Sequence, residues 1–142
     1  MSAFRLLKVR IRSERELQDR LAQNQFSLKI INVAIKDLKK IKLIDDNEFA
    51  RSWIQSRINR GFGQRRIILE LKQKSVSEKI IQNQFKKAQE NYSPKAVIKQ
   101  LIEKRLKRYK NLEPIKIKRR IYEFLVRRGF DIDSILKELQ NI

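Results

Sequence analysis

The sequence contains no cysteine and no histidine. The first absence excludes disulfides and thiolate metal sites. The second removes the commonest general base and the commonest metal ligand. Glycine and proline are scarce, three and two in 142 residues. That is too few for the many tight turns of a sandwich or barrel, and it favours long helices. Long apolar runs are also missing, so no segment reads as a membrane span. The opening "MSAFRLLKVRIRSERE" has no apolar core and soon turns acidic, unlike a secretory signal. A cytoplasmic protein with no membrane contact is expected.

Positive charge is abundant. There are 35 Lys and Arg against 16 Asp and Glu, a formal charge of +19 and a pI near 10.6. Hydrophobic residues make up 41%, which is ordinary globular usage. Such an imbalance repels itself in a folded state and implies a polyanionic partner, either nucleic acid or a complex containing it. The charge is not a detachable tail. Residues 1–44 carry +7, residues 45–92 carry +4 and residues 93–142 carry +8.

Three stretches share one register: "ELQDRLAQNQFSLKIINVAI" from Glu16, "RIILELKQKSVSEKIIQNQF" from Arg66 and "RIYEFLVRRGFDIDSILKEL" from Arg120. They align Leu17/Ile67/Ile121, Leu21/Leu71/Leu125, Phe26/Val76/Phe130, Ile31/Ile81/Ile135 and Ile35/Phe85/Leu139. The spacing predicts a helix, a tight turn, then a second helix capped by Ser27, Ser77 or Asp131. Gly129 suits the turn of the third copy; Gln25 and Ser75 occupy that place in the others and are expected to turn less cleanly. A further helix precedes each pair. It is "DDNEFARSWIQSRINR" in the middle copy, capped by Asp45 or Asp46, and "SPKAVIKQLIEKRLKRYK" in the third, with Ser93 as cap and Pro94 at its first position. In the first copy it is the short "SAFRLLKVRI", after which Ser13 and Glu16 form a capping box. Glu113 before Pro114 marks the next break. The expected fold is all-α, an elongated, curved array of three tandem three-helix repeats over 1–44, 45–92 and 93–142.

Little here carries catalytic or metal chemistry. The loop in "RINRGFGQRR" lacks the preceding strand and the Gly-Lys-Ser/Thr of a phosphate-cradling Walker loop. Gly61 is expected to end one helix and Gly63 to admit the next. Arg65 and Arg66 then stand at a helix start, where they and the first N–H groups are placed to meet a phosphate or carboxylate. On a helical wheel with Phe49 as origin, Trp53 falls at about 40°, Arg57 at about 80° and Ala50 at about 100°. Arg57 therefore lies in the apolar stripe and is read as structural, with Asp45, Asp46 and Glu70 as candidate partners. Asp45 and Asp46 are read as caps and not as a metal pair, and no cofactor is expected. Trp53 is assigned to the core, and Tyr92 and Tyr109 are the better candidates for stacking on a base. Basic side chains recur at Arg5, Lys8, Arg10, Arg12 and Arg15. They recur again at Lys104, Arg105, Lys107, Arg108 and Lys110, and then at Lys116, Lys118, Arg119 and Arg120, giving a surface suited to a phosphate backbone.

The middle stretch "LIDDNEFARSWIQSRINRGFGQRRIILELKQK" resembles the signature of the RecX family, through Leu43, Asp45, Asp46, Phe49, Ala50, Arg57, Gly61, Gly63, Arg66, Ile67 and Leu71. "RIRSERELQDRL" resembles that family's first repeat, through Arg12, Ser13, Glu16, Leu17 and Leu21. Departures are Ser75, where the family usually has glycine, and a short N-terminus. The resemblance implies tandem three-helix repeats and no enzymatic activity. It also implies binding along the RecA–DNA filament, inhibition of RecA's ATPase and strand exchange, and disassembly of the filament. Single-stranded DNA, with double-stranded DNA as a further option, is the implied nucleic acid, and a monomer is expected. Arg65, Arg66, Lys104, Arg105, Lys107 and Arg108 are the candidates for touching RecA or DNA. A general nucleic-acid-binding helical module that needs no RecA is the alternative.

Overall fold

The computed structural model describes Ala3, residues 12–40 and residues 44–142. Within them the chain is all-α: α1 (Glu14–Gln23), α2 (Leu28–Lys40), α3 (Asp46–Asn59), α4 (Gln64–Gln73), α5 (Glu78–Ala88), α6 (Pro94–Arg108), α7 (Pro114–Arg128) and α8 (Ile132–Leu139), with a 3-10 turn at Gln89–Asn91. Apart from Ala3, the short helix expected in the first copy, with Arg5, Lys8 and Arg10, lies outside the described residues, as does Leu43.

The shared register is a register of burial. Leu17, Ile67 and Ile121 are buried, as are Leu21, Leu71 and Leu125, then Ile31, Ile81 and Ile135, then Ile35, Phe85 and Leu139. One position breaks the pattern: Val76 and Phe130 are buried, but Phe26 is 38% exposed. The caps are those the sequence calls for. Ser13 accepts from the Glu16 N–H at 3.1 Å while Glu16 accepts from the Ser13 N–H at 3.3 Å. Ser27 Oγ accepts from Ile30 N–H, Ser77 Oγ from Ile80 N–H and Asp131 Oδ2 from Ser134 N–H, at 3.2–3.3 Å. Ser93 does the same for Ala96 ahead of a helix that starts on Pro94.

The turns between paired helices correct one expectation. Gln25 (φ 66°) and Ser75 (φ 59°) adopt the same left-handed conformation as Gly129 (φ 93°). In each turn this residue's N–H reaches back three residues, and the next N–H reaches the anchor leucine carbonyl: Phe26 to Leu21, Val76 to Leu71, Phe130 to Leu125. This is one Schellman motif three times over. Without a Cβ-free residue the first two copies still close it, because the packing of the flanking helices fixes the geometry and the side chain bears the strain.

The packing forms two compact units. One comprises Met1–Trp53 and Glu70–Lys86, the other Ile54–Leu69 and Lys87–Ile142. In the first, Leu17, Leu21, Ile31, Ile35, Leu38 and Ile44 pack together with Ala3. In the second, Ile98, Ile102, Ile121, Leu125, Ile135 and Leu139 form the core with Phe124 and Phe130.

The α3–α4 turn and a candidate anion site

Gly61 ends α3 in the left-handed region (φ 81°), with its own N–H on the Ile58 carbonyl and that of Phe62 on the Arg57 carbonyl. Gly63 stands immediately before α4, as expected, with its carbonyl accepting from the Ile67 N–H at 3.2 Å, and it serves a second purpose as well. A Cβ built on it would lie 2.5 Å from the Gly129 carbonyl, and one on Gly129 would lie 2.4 Å from the Arg66 Cβ. The two glycines let backbone meet backbone. Gly63 N–H donates to the Arg128 carbonyl at 2.7 Å and Arg65 N–H to the Gly129 carbonyl at 3.0 Å. Those amides are therefore satisfied by the turn after α7. Of the first amides of α4, that of Arg65 is therefore not free for an external phosphate or carboxylate, because it already holds a carbonyl.

Phe62, between the two glycines, is the hub of this turn. The guanidinium groups of Arg66, Arg128 and Arg57 lie 4.2, 4.6 and 5.3 Å from its ring centroid. Each cation faces a ring whose π-cloud attracts it. The half-buried Arg57 thus packs against Phe62. The carboxylates at the far end of α3 are used elsewhere. Asp45 Oδ1 accepts from the Asn47 N–H and Asp46 Oδ1 from the Glu14 N–H, both at 2.9 Å. Asp45 caps its own helix; Asp46 caps α1. Burial pushes the Asp46 carboxyl above its ordinary pKa, partly offset by the Glu14 N–H. Phe49 is buried and stacks on Trp53 with ring centroids 5.7 Å apart, beside the fully buried Ala50. Trp53 donates to Glu70 Oε1 at 3.3 Å, and the Lys74 ammonium lies 4.7 Å from its ring, so it packs as expected.

Two parallel junctions differ in charge. In the first unit Ser13 Oγ donates to the Lys74 carbonyl, and Glu16 pairs with Lys74 at 3.2 Å. In the second, the positions equivalent to Ser13, Glu16 and Lys74 are Gly63, Arg66 and Arg128. The carbonyl is still met from the equivalent position, now by the Gly63 main-chain N–H in place of the Ser13 hydroxyl, but the ion pair is replaced by two arginines on Phe62.

Beside that arginine pair is a concavity of 440 Å³, lined by Arg60, Lys104, Arg105, Arg108 and Arg128 over Leu101 and Phe124. No acidic residue lines it, and among the described residues none of the five cations has a carboxylate at ion-pair distance. Arg105 lies 3.8 Å from the Phe124 centroid and Arg128 5.1 Å, and Arg128 Nη1 donates to the Arg60 carbonyl at 3.0 Å. Partial burial, then Arg105 and Arg66, pulls the Arg128 pKa below the ordinary guanidinium value. The arrangement is a preorganised set of donors with no counter-charge of its own, suited to an oxyanion held by bidentate guanidinium contacts.

The sequence candidates divide between places. Lys104, Arg105 and Arg108 come together here. Arg66 is committed to Phe62 and to the Arg127 carbonyl at 3.4 Å. Arg65 is exposed and lines a different concavity with Tyr92, Phe130 and Asp131, and Lys107 is exposed outside both. Arg60 and Arg128 escape a reading of the sequence, because their spacing from the α6 cluster is tertiary. The signal available for them is their place beside Gly61 and Gly129, the turns that bring them in. The two tyrosines are not free platforms. Burial raises the Tyr92 phenol, whose hydroxyl is enclosed without a partner among the described residues. Tyr109 packs on the core with Arg120 5.7 Å from its ring.

Comparison with known proteins covers these elements. Residues 45–83 match the family model described as RecX, second three-helix domain, and residues 95–138 match RecX, third three-helix domain. A Regulatory protein RecX from Legionella pneumophila (strain Corby) is 32% identical over 99% of the chain and 92% of its own length. Another, from Caldanaerobacter subterraneus subsp. tengcongensis, is 27% identical over 96% of the chain, which spans 66% of that relative. The crystal structure of RecX from Lactobacillus salivarius superposes with a TM-score of 0.81 at 25% identity, covering 99% of the chain and 94% of that structure.

Proposed function

We infer the function of this chain from one premise: it belongs to the RecX family, built of tandem three-helix domains and made up of regulatory proteins. On our reading it acts without catalysis, by binding the RecA–DNA filament, inhibiting RecA's ATPase and strand exchange, and so modulating recombination and repair. Single-stranded DNA in the filament is the nucleic-acid partner, and the chain works as a monomer in the cytoplasm. The observation that carries this reading is the acid-free basic concavity of Arg60, Lys104, Arg105, Arg108 and Arg128. A surface of one sign attracts a polyanion over long range and favours binding along it.

The test compares substrates. The chain is titrated onto RecA-coated single strands and onto bare strands of the same length, by fluorescence anisotropy at one salt concentration. Tighter binding to the coated strand supports a filament modulator. Equal binding to both favours the general nucleic-acid module and removes RecA from the account.

A further inference from the structure

We propose that the cavity formed by Arg60, Lys104, Arg105, Arg108 and Arg128 is a binding site for linked phosphate groups, and that Arg128 joins its occupancy to the packing of Phe62. The proposal deepens the reading above by naming the chemistry of that site, and it rests on that reading only in naming a nucleic-acid strand as one source of the phosphates.

Three observations converge. First, five cations share one concavity of 440 Å³ with no carboxylate among them. The volume falls within the roughly 300–1,000 Å³ usual for ligand sites. One carboxylate leaves most of that charge unanswered, whereas successive phosphates answer it and fit the guanidinium fork. Second, the Phe124 ring that floors the site is already faced by Arg105 at 3.8 Å. Its face is therefore taken by a cation, so the site reads phosphate and not base. The stacked guanidiniums are held in place before any ligand arrives, which lowers the cost of ordering them. Third, the equivalent junction in the first unit neutralises Lys74 with Glu16 at 3.2 Å, while here Arg66 stands in place of that glutamate. Among the described residues the pair of Arg66 and Arg128 on Phe62 thus lacks the anion that its counterpart has, and Arg128 also lines the cavity. A phosphate there supplies the missing charge, so binding stabilises the turn that Phe62 anchors.

The test uses the full chain and two probes: sodium tripolyphosphate, and a short single-stranded oligodeoxythymidine. Calorimetric titration at fixed ionic strength is expected to show one tripolyphosphate per chain. The exposed double substitution Lys104→Gln, Arg108→Gln should weaken it at least tenfold without altering the circular dichroism spectrum. Tripolyphosphate should raise the melting temperature of the wild type, and raise it less in the double variant. An Arg66→Glu variant, which restores a carboxylate opposite Arg128, should melt higher in probe-free low-salt buffer and gain less from tripolyphosphate. Displacement of tripolyphosphate by the oligonucleotide assigns the phosphates to a strand. Saturable tripolyphosphate binding without displacement assigns them to a free polyphosphate; both outcomes uphold the site. Absence of saturable binding, or equal binding by the double variant, overturns it. Because these arms contain no RecA, their failure is distinct from failure of the filament reading, which shows instead as equal affinity for coated and bare strands.

Discussion

The left-handed turn residues show how a single side chain bears what the fold requires. Gln25 and Ser75 hold φ values of 66° and 59° where Gly129 sits at 93°. A Cβ in that region costs about 1–2 kcal/mol, part of which glycine returns as unfolded-state entropy. Gln25→Gly and Ser75→Gly are each expected to stabilise the chain by about 0.5–1 kcal/mol in urea unfolding. Gly129→Ala should do the reverse, because its Cβ would meet Arg66 at 2.4 Å. A loss of about 2–3 kcal/mol is expected from strain and overpacking together. Arg57→Ala should also lower stability, by about 1 kcal/mol, as its packing on Phe62 disappears. Unchanged stability with weakened DNA binding would show that Arg57 touches DNA instead. Asp46 offers a pH test. Its folded pKa lies above the ordinary value, so the folded chain holds a proton more tightly than the unfolded one. That group's contribution therefore falls as pH rises from the ordinary aspartate range through its raised pKa. Asp46→Asn, which keeps an acceptor for the Glu14 N–H, should flatten this part of the stability–pH curve.

At the scale of the element, most of the structure is legible in the sequence because the information is local. Leu17, Leu21, Ile31 and Ile35 repeat their spacing in two later copies, and helical geometry alone turns that spacing into a buried face. The caps are legible for the same reason, since Ser27, Ser77 and Asp131 each act within three residues. Asp131→Ala and Ser77→Ala should each cost about 1 kcal/mol, measurable by denaturant midpoint at constant m-value. Where sequence and structure differ, the cause is non-local. Phe26 shares the register of Val76 and Phe130, yet it is 38% exposed where they are buried, and the local spacing does not distinguish the three. Local spacing makes Gly63 a hinge, but its role depends on Gly129, 66 residues away in sequence and touching in space. Asp46 stands at the start of its own helix and instead caps α1.

Across the whole molecule, the charge of +19 points to a polyanion, but composition cannot say where opposite charge fails to compensate. Lys104, Arg105 and Arg108 are visible as a run on α6, whereas Arg60 and Arg128 join them only through the docking of the α3–α4 turn on the end of α7. If this cluster carries strand phosphates, the log–log salt slope for single-stranded DNA should fall by about 0.7 for each phosphate that a Lys104→Gln, Arg105→Gln, Arg108→Gln variant no longer holds. An unchanged slope would place the phosphates elsewhere on the surface. The most direct measurement is ATP hydrolysis by RecA on single-stranded DNA as the chain is titrated in below saturation of the DNA. Progressive inhibition by the wild type is expected, with at least tenfold weaker inhibition by the triple variant, at a temperature where circular dichroism shows both chains folded. Steady hydrolysis at every concentration of the wild type would contradict the filament reading.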